Sequence, residues 1–313
     1  MVLSQTRAQG LLLAEQNARS RPSRLQSTLS SLARNRVAAL SAIVLILIIV
    51  SALTAQWIAP HDPTSQDITL RLHPPAWQSG GSWSNPLGTD SLGRDMLSRI
   101  IYGARISLLV GFSAVVIQGI IGVGLGLTAG YYGGRVDSII MRITDIQYAL
   151  PFIVLALAVM AVLGPSLRNV ILVLGVTGWV YYARVVRAEV LSISRLDYVE
   201  AARAVGANGT RIMFRHVLPN ATASIIVIAS LQVARMIISE ASLSFLGMGI
   251  PPTVPSWGGM VADGRSYIAT AWWVSAFAGL AIFITVMTVN VVGDWLRDLL
   301  DPTTKNDSVN EAS

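Results

Sequence analysis

The 313-residue chain has no cysteine and a single lysine, Lys305, and each gap excludes a chemistry. Without thiols there is no structural disulfide and no thiolate-bound metal, although this absence names no compartment. A phosphate-binding loop needs a lysine directly after glycine, and Lys305 follows Thr304, so the chain does not itself bind ATP through that motif. Histidine is scarce too. His61, His73 and His216 are scattered and form no His-Glu-x-x-His zinc pair, and no Gly-x-Ser-x-Gly nucleophile elbow occurs. No metal site and no catalytic set is therefore expected. Charge is the last shortage: Asp, Glu, Lys and Arg supply only 13% of the residues, roughly half the share of an ordinary soluble domain.

Apolar residues fill the space, at 53% of the chain with a mean hydropathy of +0.58. Runs of spanning length recur about six times, which predicts an all-α integral membrane protein with six transmembrane helices, not a soluble body on one anchor. Residues 1–37 read as a cytoplasmic Arg-rich tail and 38–59 as the first transmembrane helix, retained because no cleavage pattern follows it. Residues 60–105 form the extracytoplasmic loop, where Leu92, Met96, Leu97, Ile100 and Ile101 predict a short interfacial helix. A core of five further transmembrane helices occupies 106–295, followed by a cytoplasmic C-terminal tail, 296–313. Within that core the spans fall near 108–131, 139–163, 170–186, 221–245 and 271–292. Pro151 should kink the third span of the chain. Gly122, Gly126 and Gly130 present a small face suited either to packing within the chain or to a subunit interface. In the last segment, Arg297 with Asp294 and Asp301 predicts an exposed helical charge ladder.

Arginine sets the orientation. If the N-terminus is cytoplasmic, 16 of the 23 basic residues fall on that side and six on the other, leaving Arg235 inside a span. Basic residues accumulate in cytoplasmic loops, so both termini are expected there. With spans this apolar, a net charge of +6 reports orientation, not nucleic-acid binding.

The longest cytoplasmic insertion, 190–219, is the conspicuous feature. Ala201, Ala202, Ala204 and Val205 favour helix, Gly206 and Gly209 supply a turn, and Ile212, Met213, Phe214 and Val217 restart a helical pattern that Pro219 should end. The pattern gives a helix, a turn and a second helix outside the bilayer. Arg203, Arg211 and Arg215 would face lipid headgroups or an acidic partner, so a loop resting on the membrane and a docking element both fit. Two ionisable residues inside a span, Arg235 and Glu240, mark either a translocation path or, for each, an ion pair with a neighbouring helix or a position close enough to the headgroups to snorkel. Trp257, in a Pro-rich loop, fits the outer mouth or an interfacial anchor.

The central stretch, with Glu200-Ala-Ala, Gly206 and Leu218-Pro219, resembles the cytoplasmic coupling (EAA) motif of bacterial ABC importer permeases. More of the chain is similar to the C-type permeases of the dipeptide, oligopeptide and nickel importer family. The matching motifs are Leu87-Gly-Thr-Asp90-Ser-Leu-Gly-Arg-Asp95, Ala129-Gly-Tyr-Tyr-Gly-Gly134, Glu240-Ala-Ser-Leu-Ser-Phe-Leu-Gly247, Pro255-Ser-Trp-Gly258 and Gly293-Asp294 with Arg297 and Asp301-Pro302. The resemblance covers 38–302 and implies a MetI-like type I ABC importer permease fold. It also implies a heterodimer with a B-type permease subunit, two cytoplasmic ATP-binding subunits that hold ATP and Mg, an extracytoplasmic substrate-binding protein, and residence in the bacterial plasma membrane. This chain would be a transport subunit and not an enzyme, with no cofactor of its own. The coupling residues would be Glu200, Ala201, Ala202, Arg203, Gly206, Ile212, Phe214, Arg215, Leu218 and Pro219. The translocation path would take Arg235 and Glu240, and Asp90, Arg94, Asp95, Pro255 and Trp257 would contact the binding protein. The expected cargo is dipeptides or oligopeptides, with nickel chelates, glutathione or oligosaccharides as alternatives within the family. A secondary transporter is the alternative from another class, but internal repeats and ion-coordinating acids are missing.

Overall fold

The computed structural model describes residues 32, 33 and 35–300, and among these the regular secondary structure is all helical apart from one isolated bridge between Thr89 and Asp95. Twelve helices are needed to describe it. They are α1 (Arg36–Leu53), α2 (Ala55–Ile58), α3 (Met96–Tyr132), α4 (Gly134–Tyr148), α5 (Phe152–Leu163), α6 (Leu167–Thr177), α7 (Trp179–Ile193), α8 (Asp197–Ala204), α9 (Gly209–Ile212), α10 (Leu218–Phe245), α11 (Trp257–Gly264) and α12 (Trp273–Leu300). Five segments are long and apolar enough to cross a bilayer: α1, α3, α6 with α7, α9 through α10, and α12. The bent pair α4 and α5 makes the sixth. Most of the N-terminal tail and all of 301–313, including Asp301 of the charge ladder, lie outside the described residues.

Local chemistry explains where the helices begin. The side chains of Asn35, Asp95, Ser166 and Ser256 accept hydrogen bonds from backbone N–H groups in the first turns of α1, α3, α6 and α11. Each such cap satisfies a donor that the helix itself cannot, at about 1 kcal/mol.

Three expectations need correction. The expected short interfacial helix is not a separate element, because Asp95 caps α3 and the helix runs unbroken to Gly133; Met96, Leu97, Ile100 and Ile101 are the first turns of a 37-residue helix, and Leu92 lies in a turn before the cap. The third span is broken, not kinked: α4 and α5 meet at 84° across Ala149, Leu150 and Pro151. Proline disfavours the α conformation in the residue before it and removes a donor, which suits a break. Pro219, in turn, does not end the helix of the central stretch. The helix runs on from Gly209 to Phe245 through a π-helical turn, Met213–Val217, in which the Leu218 N–H reaches the Met213 carbonyl. The wider turn lets the chain absorb the proline at the start of α10.

Helix α3 is the axis of the bundle, about 55 Å long at 1.5 Å per residue. Its first turns pack with Trp257, Met260, Trp273 and Ala278, its middle with Leu174, Tyr182 and Met236, and Leu127 near its end with Val186, Val190, Val199 and Ile212. The glycine stripe fixes its closest neighbour. A Cβ on Gly122 would sit 2.4 Å from Tyr182 Cβ, on Gly126 2.6 Å from the Ala183 carbonyl oxygen, and on Gly130 2.8 Å from Val190 Cβ. The stripe therefore serves packing of α3 on α7 within the chain. In lipid, where apolar helices gain nothing by leaving solvent, such close approach is a main source of association.

Candidate functional site

The central stretch folds as a mounted pair of helices at one end of the bundle. Helix α8 ends in a Schellman motif: the Gly206 N–H bonds to the Arg203 carbonyl and the Ala207 N–H to the Ala202 carbonyl. Gly206 takes φ +81°, the left-handed conformation that favours glycine, and has open space where a Cβ would stand. Asn208 then caps α9 by accepting from the Thr210 N–H. The pair is seated on the last turn of α3 by Tyr131. The Arg203 guanidinium lies 5.4 Å from the Tyr131 ring centroid, and Gly209 lets that ring approach to within 3.2 Å of where its Cβ would be.

The seat divides the expected coupling residues. Glu200, Ala201, Arg203, Gly206, Phe214, Arg215 and Pro219 are exposed, while Ala202 and Leu218 are half-buried. Ile212, expected among the coupling residues, and its neighbour Met213 are instead buried in the chain's own core with Val186, Val190 and Val199. This is a correction: those two side chains hold the pair to the bundle and offer a partner nothing. The large apolar groups that face outward most are Val205, 83% exposed, and Phe214, 59% exposed, ahead of Leu196 at 46% and Tyr198 at 43%. Val205 went unrecognised because, beside three alanines, it reads as one more helix-face residue. The following left-handed glycine, a signal present in the sequence, turns it outward.

At the same end, Arg187 makes a bidentate ion pair with Asp137, and Arg184 pairs with Asp145 at 2.5 Å while lying over the Tyr148 ring. These bonds tie α4 to α7, so Arg184 and Arg187 brace the broken span.

The opposite end is built on charge as well, but there the charge is inside. Asp90, Arg94, Arg99 and Asp263 form one cluster, with Arg94 Nε 2.6 Å and Arg99 Nη1 3.4 Å from Asp90 Oδ2, and the Arg94 and Arg99 Nη2 atoms 3.4 and 3.6 Å from Asp263 Oδ2. Burial pushes the Asp263 carboxyl up from its usual range, while Arg99 and Arg94 pull it back. Asp95 accepts from Asn85 and Ser98, and the Trp257 Nε1–H donates to the Ile100 carbonyl at 2.9 Å. Asp90, Arg94, Asp95, Pro255 and Trp257 are all buried within this one chain, so the expectation that they touch a binding protein is overturned. They fasten residues 60–95 and α11 to the start of α3. Asp263, 169 residues from Arg94, carried no sequence signal.

The two intramembrane charges also separate. Glu240 is fully buried, accepting from Ser244 Oγ at 2.8 Å and lying 3.5 Å from Ser107 Oγ, with Gly258 of α11 packed against it. It bridges α3, α10 and α11. Arg235 is exposed and lines a cavity of about 370 Å³ between the α4–α5 break, Gly178 and α10, with its guanidinium 5.9 Å from the Tyr181 ring centroid. No group of three or more metal-binding side chains occurs among the described residues.

Comparison with known proteins gives this geometry a family. Residues 122–306 match the model of binding-protein-dependent transport system inner membrane components, and 23–75 match the N-terminal transmembrane domain of oligopeptide transport permease C. The chain belongs to this transport family. The inner membrane component described here is 46% identical over 285 residues to the di/tripeptide transport system permease protein DppC of Pseudomonas aeruginosa (strain UCBPP-PA14), covering 91% of this chain and 94% of that one. It is 48% identical over 272 residues to the dipeptide transport system permease protein DppC of Escherichia coli (strain K12), covering 87% and 91%. The glutathione transport system permease protein GsiD of Pectobacterium atrosepticum is 44% identical over 273 residues, covering 87% and 89%. Among solved structures, the inward-facing MetNI methionine ABC transporter aligns with a TM-score of 0.56 over 66% of this chain and 98% of that one at 21% identity, which establishes the MetI-like fold. The fold and family expected from the motifs are thus found, and this inner membrane component is a permease subunit of an ABC importer.

Proposed function

We propose that this permease carries short peptides, dipeptides or small oligopeptides, across the bacterial plasma membrane, forming half of a path completed by a B-type permease subunit. Both termini and the α8–α9 pair face the cytoplasm, where two ATP-binding subunits supply ATP and Mg, and a substrate-binding protein delivers cargo on the other side. The observation that carries the coupling role is the exposed knuckle Val205–Gly206 with Phe214, held rigid by the Schellman motif and by Tyr131 at the end of the axis helix. An apolar knob on a stiff mount suits a groove in a partner, and α9 through α10 is one helix, so movement of the knuckle reaches the membrane directly. A loop that merely rested on lipid would need no such mount. The basic end of the bundle, with Arg135, Arg142, Arg195, Arg211 and Arg215, supports the cytoplasmic placement. Peptides are favoured over nickel chelates and oligosaccharides because the relatives above carry peptides, glutathione being one chemically.

The decisive variant is Gly206→Val in the complete transporter. A β-branched residue is strained at φ +81°, so the knuckle shifts while the spans remain. Uptake into proteoliposomes should stop while the chain still inserts and ATP hydrolysis continues; normal uptake by this variant would sink the coupling role.

A further inference from the structure

A second cavity, about 590 Å³, continues from the first toward the α8–α9 end, between α7 and α10, and Tyr181 lines both. The two cavities therefore form one groove along α7 and α10, with the Tyr181 ring at its neck and Arg235 above it. The charges of the two parts differ. In the lower cavity Glu189 and Arg297 offset one another, whereas the upper cavity is lined by Arg235 as its single formal charge, beside neutral Gln147, Thr177 and Gln232.

Arg235 is costly where it stands. It lies ten residues from Phe245, about 15 Å along α10, and further still from Leu218. Arg235 stands within a helix long and apolar enough to span the membrane, where an ionised group persists only if it faces water or a partner or reaches the headgroups. Among the described residues no acidic side chain forms an ion pair with it. Its neighbour is the face of Tyr181, which steadies the cation without neutralising it and leaves the guanidinium edge free. A planar fork of donors in a cavity of small-molecule size matches a carboxylate.

We propose that Arg235, seated on Tyr181 at the neck of this groove, binds the C-terminal carboxylate of the peptide in transit. The inference rests on the peptide-importer function and assigns its substrate contact. A free peptide acid then finds a counter-charge in this groove, and a peptide amide does not.

The test uses the complete transporter in proteoliposomes, with its binding protein in excess and preloaded with radiolabelled dialanine or dialanine amide, so that the binding protein's own affinity drops out. Wild-type vesicles should import the acid faster than the amide in the presence of ATP. In Arg235→Gln the uptake of the acid should fall about tenfold and the acid-to-amide ratio should approach one, the scale of losing one charge-assisted contact. Arg235→Lys keeps the charge without the fork and should give an intermediate ratio, which carries the test if the glutamine variant does not assemble. A wild-type ratio in either variant overturns the assignment while leaving the importer function intact. Wild-type vesicles that import neither peptide with ATP overturn the peptide function itself, and this contact with it.

Discussion

The two ends of the bundle use the same kinds of residue to opposite purposes. At the end formed by residues 60–95 and α11, two aspartates, two arginines and a tryptophan are folded inward, with Asp90, Arg94, Arg99 and Trp257 each less than 5% exposed. At the α8–α9 end Arg211, Arg215 and an apolar knob point outward, and the helix pair is fastened mainly by aliphatic side chains such as Val199 and Ile212, with the Arg187–Asp137 and Arg184–Asp145 pairs bracing α4 on α7 beside it. A buried ion cluster is intolerant of change, because removing one partner strands another charge. An exposed knob on a helical mount can change without disturbing the chain that carries it. Motif density in the sequence therefore marks a buried fastening at one end and an exposed surface at the other.

The comparison predicts a graded set of losses. Asp90→Ala leaves Arg94 and Arg99 facing one another with only Asp263 between them, and should lower stability by about 3–5 kcal/mol. Thermal unfolding of the detergent-purified chain measures this, and a melting temperature equal to wild type would mean the cluster holds nothing. Trp257→Phe keeps a ring against α3 but gives up the bond to the Ile100 carbonyl, a loss of about 1 kcal/mol in the same assay. At the other end, Arg203→Gln removes the cation from the Tyr131 ring and should cost only about 0.5–1 kcal/mol. If Arg203→Gln proved as damaging as Asp90→Ala, the contrast between the ends would fail.

Span number, the Gly122–Gly126–Gly130 face and the helix-turn-helix of the central stretch were legible because they depend on local composition and short spacing. The continuity of α3 was less so: the run from Met96 looks interfacial until Asp95 is seen as its cap and Gly133 as its first stop. The 84° break at Pro151 exceeds what proline alone signals, and it is held by contacts far along the chain, including the Gln147 amide on the Thr177 carbonyl and Arg187 on Asp137. The site misread at the loop end failed for one reason. Charged residues in a Gly-rich loop look solvent-facing, and only Asp263 and the Pro252 carbonyl, more than 150 positions away, turn them inward. Burial, unlike periodicity, is decided by partners that a local pattern does not contain.

Val205→Ser should give the smallest change in stability and the sharpest separation of the two ends. Val205 is 83% exposed at the cap of α8, and its backbone N–H bonds to Ala201 whatever the side chain. Stability should stay within about 0.5 kcal/mol of wild type, as for surface positions in general. Peptide uptake by the complete transporter should nevertheless fall severalfold, because a polar side chain gives up the apolar contact with the partner groove. Buried Trp257 and exposed Val205 thus make opposite pairs of readouts: Trp257→Phe moves the melting temperature, and Val205→Ser moves uptake. A Val205→Ser chain with unchanged uptake would leave Phe214 as the remaining large apolar contact of the knuckle. A lowered melting temperature would instead place Val205 among the fastenings and remove the distinction between the two ends.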